Sequence, residues 1–153
     1  MTGVPVAIAL GSNLGDREQY LRDAIRRLST DIAGLQLSPL YENDAVGVGE
    51  QPPFLNAAAS GHTTLSARAL LDRLLAVEAQ GGRVRTTPGA ARTLDLDLIL
   101  YGDAVIDEPG LVVPHPRFRE RRFVLAPLAA VAANWRDPVT GLTVDALLGR
   151  LAD

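Results

Sequence analysis

Hydrophobic and polar residues alternate along several short segments of the chain. The clearest alternation precedes residue 101, where leucines occupy every even-numbered position from 94 to 100. A period of two predicts a β-strand whose leucines face a core. The segments 4–10, 35–42 and 54–63 are also predicted to be strands.

Two other segments carry apolar residues at helical spacing. The first is predicted to begin after Asp16, which forms a capping-box pattern with Gln19, and the second after Ser66. Gly81 and Gly82 should end the second helix. The residues expected to face the core are Tyr20, Leu21, Ala24, Ile25 and Leu28 in the first helix and Leu70, Leu71, Leu74, Leu75 and Val77 in the second.

The predicted elements follow the order strand, helix, strand, strand, helix, strand, and more helix is expected at 118–133 and 143–151. This order is the split βαβ arrangement. We therefore predict an α+β fold, a ferredoxin-like α/β sandwich with a mostly antiparallel sheet and helices packed on it. With 153 residues, 47% of them hydrophobic, and no visible linker, the chain is expected to form a single domain spanning residues 1–153.

Asp95 and Asp97 occupy the face of their predicted strand opposite the leucines. Two residues of strand place their Cα atoms roughly 6.5 Å apart, so both carboxylates can reach one metal ion or a pair of ions. Mg²⁺ is usually held by one or two carboxylates together with substrate phosphates. The strand therefore indicates one half of a nucleotide-metal site. The residues alone leave open an alternative, an acidic solvent-facing side of an amphipathic strand.

Arginines gather just before this strand. Arg83 and Arg85 flank Val84 at strand spacing, and Arg92 follows them. Guanidinium groups bind phosphate oxygens in bidentate fashion, and phosphoryl transfer requires fixed positive charge. The cluster is thus a candidate phosphate site. Simple Arg–Asp ion pairs between neighbouring strands are the other interpretation.

Composition narrows the classes of function. All 15 basic residues are arginine, so a Walker-type phosphate loop and the lysine of protein kinases are excluded. The net charge of −3 argues against a general nucleic-acid binder and, with the local arginines, favours a small anionic ligand. With no cysteine, the chain forms neither a disulfide nor a thiolate metal site.

No apolar run approaches the length of a membrane span, and the N-terminus lacks the pattern of a signal peptide. We therefore expect a cytoplasmic protein that makes no membrane contact. We also expect it to be a monomer.

The chain resembles the 6-hydroxymethyl-7,8-dihydropterin pyrophosphokinases of folate synthesis in a series of short motifs. The most specific is Arg92-Thr93-Leu94-Asp95-Leu96-Asp97 followed by Pro114-His115-Pro116-Arg117. The other matching segments are residues 9–16, 38–42, 51–56, 78 with 82–85, and 121–128. Any one motif would be a weak signal, but together they recur in family order along nearly the whole chain.

The resemblance implies transfer of a pyrophosphoryl group from ATP to the hydroxymethyl oxygen of the pterin, leaving AMP. Asp95 and Asp97 match the pair that holds two Mg²⁺ ions in the family. The positions that match nucleotide contacts are Glu78, Arg83, Arg85, Arg92, His115 and Arg121. The positions that match catalytic residues are Asp97, Arg83, Arg92, His115 and Arg121.

The resemblance also implies a pterin site. Phe54 and Phe123 match an aromatic pair that sandwiches the pterin ring, and Asn56 matches the side chain that hydrogen-bonds the ring edge. The remaining positions assigned to the pterin are Gly11, Asn43 and Val46. Stacking between two rings suits a flat heteroaromatic molecule, and an Asn side chain offers both donor and acceptor. On residue type alone, the phenylalanines would be core residues, Asn56 an edge cap and His115 part of a turn.

Two alternatives stay open. One is a catalytically impaired ATP- or pterin-binding regulatory module on the same fold, which nucleotide binding without AMP release would support. The other is a noncatalytic interaction domain that uses the loop at 43–53, which is long for a hairpin. Binding of neither pterin nor nucleotide would support the second.

Overall fold

Five strands form one sheet among the residues that the structure describes, and helices cover both of its faces. The computed structural model describes residues 3–13, 15–43, 53–80 and 94–151. The elements are β1 (Val4–Ser12), α1 (Arg17–Leu28), β2 (Ala33–Leu37), β3 (Tyr41–Asn43), β4 (Phe54–Thr63), α2 (Ala67–Gln80), β5 (Asp95–Tyr101), β6 (Ile106–Glu108), β7 (Leu111–Val113), α3 (Arg122–Ala132) and α4 (Val144–Arg150).

The sheet order is β2-β4-β1-β5, and β3 pairs with the first residues of β4. Each of these pairings is antiparallel. Because β2 and β3 share one edge of β4, they act as one interrupted strand. The first and third strands of the βαββαβ order, β1 and β4, are therefore central neighbours. The predicted ferredoxin-like α+β sandwich is confirmed.

The predicted strand at 35–42 is divided, which corrects the sequence-based boundary. The break lies at Ser38–Leu40. Ser38 replaces regular pairing with its own contacts, because its N–H donates to Ala58 O at 2.8 Å and its Oγ accepts from Ala58 N at 2.9 Å. Pro39 follows, and a proline has no N–H to donate to a sheet.

Both of the first two helices begin where their caps predict. Asp16 accepts a hydrogen bond from Gln19 N at 3.3 Å, and Ser66 Oγ accepts one from Ala69 N at 3.1 Å. The capping box of α1 is only half formed, because the Gln19 side chain donates to Asp23 instead. The expected end at residues 81–82 lies outside the described residues. No helix in the described part of the chain is long and apolar enough to cross a membrane.

The buried stripe of α2 is narrower than its sequence suggested. Its buried residues are Ala67, Leu70, Leu74, Val77 and Glu78. Leu75, expected in the core, is 41% exposed, so that prediction was wrong. Glu78 takes a place on the buried stripe because it follows Leu74 by one helical turn.

The sheet separates two hydrophobic cores. The first contains Val6, Ile8 and Leu10 of β1 and packs against α1 and α2. The second contains Ala7 and Ala9 and packs against α3 and α4. Small side chains, those of Ala7, Ala9 and Ala58, dominate the sheet side of the second core.

The even-numbered leucines of strand β5 do not all face the same core. Leu96 and Leu98 face the first core, as predicted, but Leu100 joins Ile99 in the second. The cause is a shift in the register between β1 and β5 at Ala7 and Ile8, which inserts one extra residue in β5. The regular alternation therefore holds for the part of the strand that carries the aspartates.

A short hairpin of β6 and β7 was not predicted. Glu108 pairs with Leu111 across a turn formed by Pro109 and Gly110. Gly110 has a φ of +77°, which favours glycine, and a Pro-Gly pair between two apolar-rich segments was the available sequence signal. Arg68 at the start of α2 holds the turn, since it donates to Pro109 O and to Glu108, each at 3.1 Å.

Candidate active site

The floor of a cavity is formed by the smallest residues of β1. Gly11 is paired with Asn56 of β4 on one side and with Asp95 of β5 on the other. Two residues earlier, Ala9 is paired in the same way with Ala58 and Asp97. The sheet therefore presents carboxylates on one side of β1 and an amide on the other, with little side-chain volume between them.

A side chain at position 11 would crowd two neighbouring side chains. A Cβ on Gly11 would lie 3.2 Å from Asn56 Oδ1 and 3.8 Å from Phe54 Cδ1. The first of these separations is tighter than an ordinary contact. The predicted pterin residues Gly11, Phe54 and Asn56 are therefore neighbours in space.

The first cavity has a volume of about 450 Å³ and lies between this floor and α3. It is lined by Ala9, Leu10, Gly11, Phe54, Asn56, Asp95, Asp97, Arg117, Glu120, Arg121, Phe123 and Val124. The structure thus brings together residues that the sequence assigned to the pterin, to the metal and to catalysis. A volume of this size is typical of a pocket for a small organic molecule.

Arg121 and Phe123 form the side of the cavity opposite the sheet. The guanidinium carbon of Arg121 lies 5.7 Å from the centroid of the Phe123 ring, a cation–π contact. Phe123 is 40% exposed. A phenylalanine that keeps this much accessible surface at the mouth of a cavity is placed to contact a ligand, which distinguishes it from the fully buried Phe118.

A second cavity of about 260 Å³ adjoins Asp97. Its lining residues are Leu71, Leu96, Asp97, Leu98, Gly110, Leu111, Val112, His115 and Pro116. The walls are mainly aliphatic and come from α2, β5 and the β6–β7 hairpin. Asp97 lines both cavities, so the two cavities adjoin at this residue.

His115 lies at the polar end of the second cavity and is held by two backbone contacts. The backbone N–H of His115 donates to Ile99 O at 3.1 Å, and the ring Nδ1 accepts a hydrogen bond from the backbone N–H of Arg117 at 3.2 Å. Burial, together with the positive charges of Arg121 and Arg117, lowers the pKa of His115, while Asp95 opposes this shift. Because Nδ1 acts as an acceptor, the neutral ring carries its proton on Nε2, where it can donate to a ligand.

Glu78 lies next to the metal-binding candidates but points at the backbone. Its side chain is buried, and its Oε2 accepts a hydrogen bond from Leu96 N at 2.7 Å. Leu96 stands between Asp95 and Asp97, so this contact fixes the strand segment that carries both carboxylates. The sequence expectation that Glu78 contacts the nucleotide stays a prediction.

Arg117 and Glu120 also line the first cavity, and neither was among the predicted site residues. Their side chains form an exposed ion pair at 3.6 Å. Arg117 closes the Pro-His-Pro-Arg motif, which was the available signal. Between them, Arg119 turns away from the cavity and donates through Nη2 to the buried Asp137 at 2.9 Å.

Several predicted site residues lie outside the described residues. These are Val46, Arg83, Arg85 and Arg92. For Asn43 the structure describes the backbone, which pairs with Phe54 at the edge of the sheet. Their assignment to pterin or nucleotide stays a prediction.

The carboxylates suit a metal that a substrate helps to bind. Within the described ranges, no group of three or more His, Cys, Asp or Glu side chains could hold a metal by itself. Asp95 and Asp97 supply two carboxylates beside the cavity. Mg²⁺ commonly takes one or two carboxylates and completes its shell with water and phosphate oxygens. The donor set therefore fits Mg²⁺ bound together with a phosphorylated ligand.

Known structures share this fold. A Plasmodium falciparum HPPK-DHPS triple mutant crystallised with pteroate superimposes with a TM-score of 0.77 over 97% of this chain and 43% of that chain, at 12% sequence identity. At this identity the likeness concerns the fold alone.

Relatives are also found at the level of sequence. The chain is 42% identical over 140 residues to a 2-amino-4-hydroxy-6-hydroxymethyldihydropteridine pyrophosphokinase of Bacillus subtilis, covering 90% of this chain and 84% of that protein. The enzyme of the same name from Pseudomonas aeruginosa is 43% identical over 136 residues, covering 87% and 83%. A folic acid synthesis protein, fol1 of Pneumocystis carinii, is 39% identical over 97% of this chain, which spans only 20% of that longer protein.

The family model described as 7,8-dihydro-6-hydroxymethylpterin-pyrophosphokinase matches residues 7–133, which include the described residues of both cavities. The suspected resemblance is thereby confirmed. The chain belongs to the 7,8-dihydro-6-hydroxymethylpterin-pyrophosphokinase family.

Proposed function

We propose that this protein transfers a pyrophosphoryl group from ATP to the hydroxymethyl oxygen of 6-hydroxymethyl-7,8-dihydropterin, releasing AMP, in folate biosynthesis. The observation that carries this proposal is the position of Asp97, which lines two adjoining cavities of different character. A transfer between two substrates needs an acceptor site and a donor site that adjoin, so that the reacting atoms can approach each other. Family membership supports the chemistry, and the two adjoining cavities support a separate site for each substrate.

The first cavity is the pterin site in this proposal. Phe54 and Phe123 provide aromatic surface for the flat ring, and Asn56 provides a donor and an acceptor for its edge. Gly11 keeps the floor low enough for the ring to approach the sheet. We propose that the pterin binds with its ring edge at Asn56 and its hydroxymethyl group directed toward Asp95 and Asp97.

The second cavity takes the nucleotide base, because its aliphatic walls suit the faces of a purine. The phosphates then extend past His115 toward Arg121. His115 donates a hydrogen bond from Nε2 to a phosphate oxygen, and Arg121 supplies positive charge where negative charge develops. Arg83, Arg85 and Arg92 are proposed to contribute further positive charge, and Glu78 to contribute to nucleotide binding.

The reaction forms a bond between the hydroxymethyl oxygen and the β-phosphorus. It breaks the bond from that phosphorus to the oxygen shared with the α-phosphate, so AMP leaves with the bridging oxygen. The hydroxyl proton passes to the carboxylate of Asp97. Two Mg²⁺ ions, held by Asp95 and Asp97 with the phosphates, would neutralise charge and align the reacting oxygens when bound.

Nothing in the comparisons supports the catalytically impaired alternative, since the relatives from Bacillus and Pseudomonas are named as pyrophosphokinases. The same names weigh against a noncatalytic interaction domain. A single domain over residues 1–153, a monomeric state, a cytoplasmic location and the absence of membrane and nucleic-acid partners stay predictions.

The direct test is incubation of the protein with ATP, Mg²⁺ and the hydroxymethyl dihydropterin, followed by separation of the nucleotides. We expect one AMP for each pterin consumed and none when the pterin is omitted. Formation of ADP, or no turnover with the reduced pterin, would refute the proposal.

A further inference from the structure

Arg17, the first residue of α1, contacts two segments beside the first cavity without being among the described residues that line it. Its Nη1 donates to Pro53 O at 2.8 Å. Its Nη2 lies 2.7 Å from Glu42 Oε2. One guanidinium thus joins the residue before β4 to a residue of β3.

Both contacts act on the first residues of β4. Pro53 O belongs to the peptide group that leads directly into Phe54, the first residue of the strand. Glu42 is paired with Leu55, the next residue of β4. Phe54 and Asn56, on either side of Leu55, both line the cavity. Arg17 therefore holds the strand end that carries two of the proposed pterin contacts.

The local sequence explains why an arginine at this position can reach so far. Ser12, the last residue of β1, is paired with Leu55, so β1 ends beside the start of β4. Asp16 then caps α1 and sets the direction of its first turn. Arg17 leaves the helix at its first position, with its side chain 28% exposed, and extends over the start of β4 to β3.

A strand end is a place where backbone order is easily lost. An aromatic side chain on a frayed strand would have to be ordered when the ligand binds, and this ordering weakens binding. A guanidinium can hold a carbonyl and a carboxylate at once because its donors form a rigid planar fork. A lysine, as a single point charge, cannot reproduce both contacts with the same geometry.

We propose that Arg17 is a positioning residue for the pterin site, which orders Phe54 and Asn56 through Pro53 and Glu42 before the pterin binds. This inference rests on the proposed function, because it takes the first cavity to be the pterin site. It assigns to Arg17 no contact with either substrate.

The test compares the affinities of the two substrates in matched variants. Arg17→Met removes the fork and keeps an unbranched apolar side chain, and Arg17→Lys keeps the charge. Arg22→Met is the matched control. Arg22 lies on the exposed face of the same helix, where it forms an ion pair with Glu18 at 2.9 Å. Dissociation constants for the hydroxymethyl dihydropterin are measured with a nonhydrolysable ATP analogue and Mg²⁺ at saturation, and those for the analogue are measured separately.

We expect Arg17→Met to raise the dissociation constant for the pterin about tenfold, the size of effect when a hydrogen bond from a charged group is lost. The dissociation constant for the ATP analogue should change less than twofold, because substitutions at separated sites have nearly independent effects. Arg17→Lys should fall between Arg17→Met and the unmodified protein, and Arg22→Met should match the unmodified protein. Glu42→Gln, which keeps the shape of the side chain, should produce a smaller loss in the same direction.

The inference is overturned if Arg17→Met behaves like Arg22→Met, or if both ligands lose affinity by the same factor. If Arg17→Met does not fold, Arg17→Lys and Glu42→Gln decide by the same comparison. A failure of the proposed function is a separate result, since the unmodified protein would then bind no pterin at all.

Discussion

The buried carboxylate of Glu78 accepts a hydrogen bond of 2.7 Å from the backbone N–H of Leu96. Leu96 separates Asp95 from Asp97, and β5 lies at one end of the sheet order, next to β1. A glutamate from α2 thus holds the strand at the point where both carboxylates must be placed.

Glu78→Ala should destabilise the protein and impair metal binding together. Loss of the acceptor leaves a buried N–H without this hydrogen bond, which costs about 1–3 kcal/mol in the free energy of unfolding. The Mg²⁺ concentration for half-maximal activity should rise, because β5 is less well fixed. Thermal unfolding and a Mg²⁺ titration measure both effects, with Glu18→Ala on the exposed side of α1 as the control. An unchanged Mg²⁺ dependence would show that Glu78 serves only the core.

Asp97→Ala should reduce turnover while the fold stays intact. The substitution removes a proposed metal ligand and also relieves repulsion with Asp95, so the structure loses little stability. We expect a loss of about three orders of magnitude in kcat, the upper range for a group that stabilises transition-state charge. Asp107→Ala, on the exposed strand β6, is the matched control. Near-normal turnover of the Asp97 variant would instead identify the two carboxylates as a solvated strand face.

Phe123 and Phe118 should respond in opposite ways to truncation. Phe123 is 40% exposed at the cavity, whereas Phe118 is fully buried in the second core. Phe123→Ala should weaken pterin binding more than nucleotide binding, with a stacking loss of about 0.5–1.5 kcal/mol beyond burial. Phe118→Ala should lower the free energy of unfolding by about 3–5 kcal/mol. Calorimetric binding and thermal melts distinguish them. Equal losses for both ligands in the Phe123 variant would mean that Phe123 does not stack on the pterin.

Stability at acid pH should depend on Asp137. Burial alone would raise the pKa of this carboxyl, but hydrogen bonds from Arg119, Thr140 and Val139 and the charge of Arg119 outweigh it and lower the pKa to about 2. A pKa lower in the folded protein than in the unfolded chain stabilises the fold above the unfolded value. That contribution is lost as the pH falls from about 4 toward 2.

Asp137→Asn should therefore flatten the pH dependence of stability in this range. Its free energy of unfolding should lie below that of the unmodified protein at pH 7, by on the order of 2 kcal/mol, and the difference should shrink toward pH 2. Urea unfolding at a series of pH values measures this difference. A difference that stays constant with pH would mean that Asp137 contributes through shape and not through its charge.

The sequence predicted the part of the site that depends on local patterns. The alternation in β5 placed Asp95 and Asp97 on one face and Leu96 and Leu98 on the other, because strand periodicity is a local property. Caps at Asp16 and Ser66 likewise fixed the starts of α1 and α2. Each of these features involves residues within a few positions of one another.

Three of the features that the sequence did not predict depend on partners far along the chain. Leu100 changes face because of the register of β5 against β1, and no pattern within β5 encodes that shift. The strand at 35–42 is interrupted because the side chain of Ser38 accepts a hydrogen bond from the backbone of Ala58, which lies twenty residues away in the sequence. Arg17 was absent from the predicted site for the same reason, since its partners Glu42 and Pro53 become neighbours only when β3 pairs with β4.

In the proposed reaction, two phosphates leave ATP together and are transferred to the pterin at the junction of the two cavities, which Asp97 lines. This transfer is tested most directly with ATP labelled separately at the β- and γ-phosphorus, by following both labels into the separated products. The proposed function predicts that both labels appear in the pterin product in equal amounts and that AMP carries neither. Transfer of the γ-label alone, with the β-label retained in ADP, would contradict it.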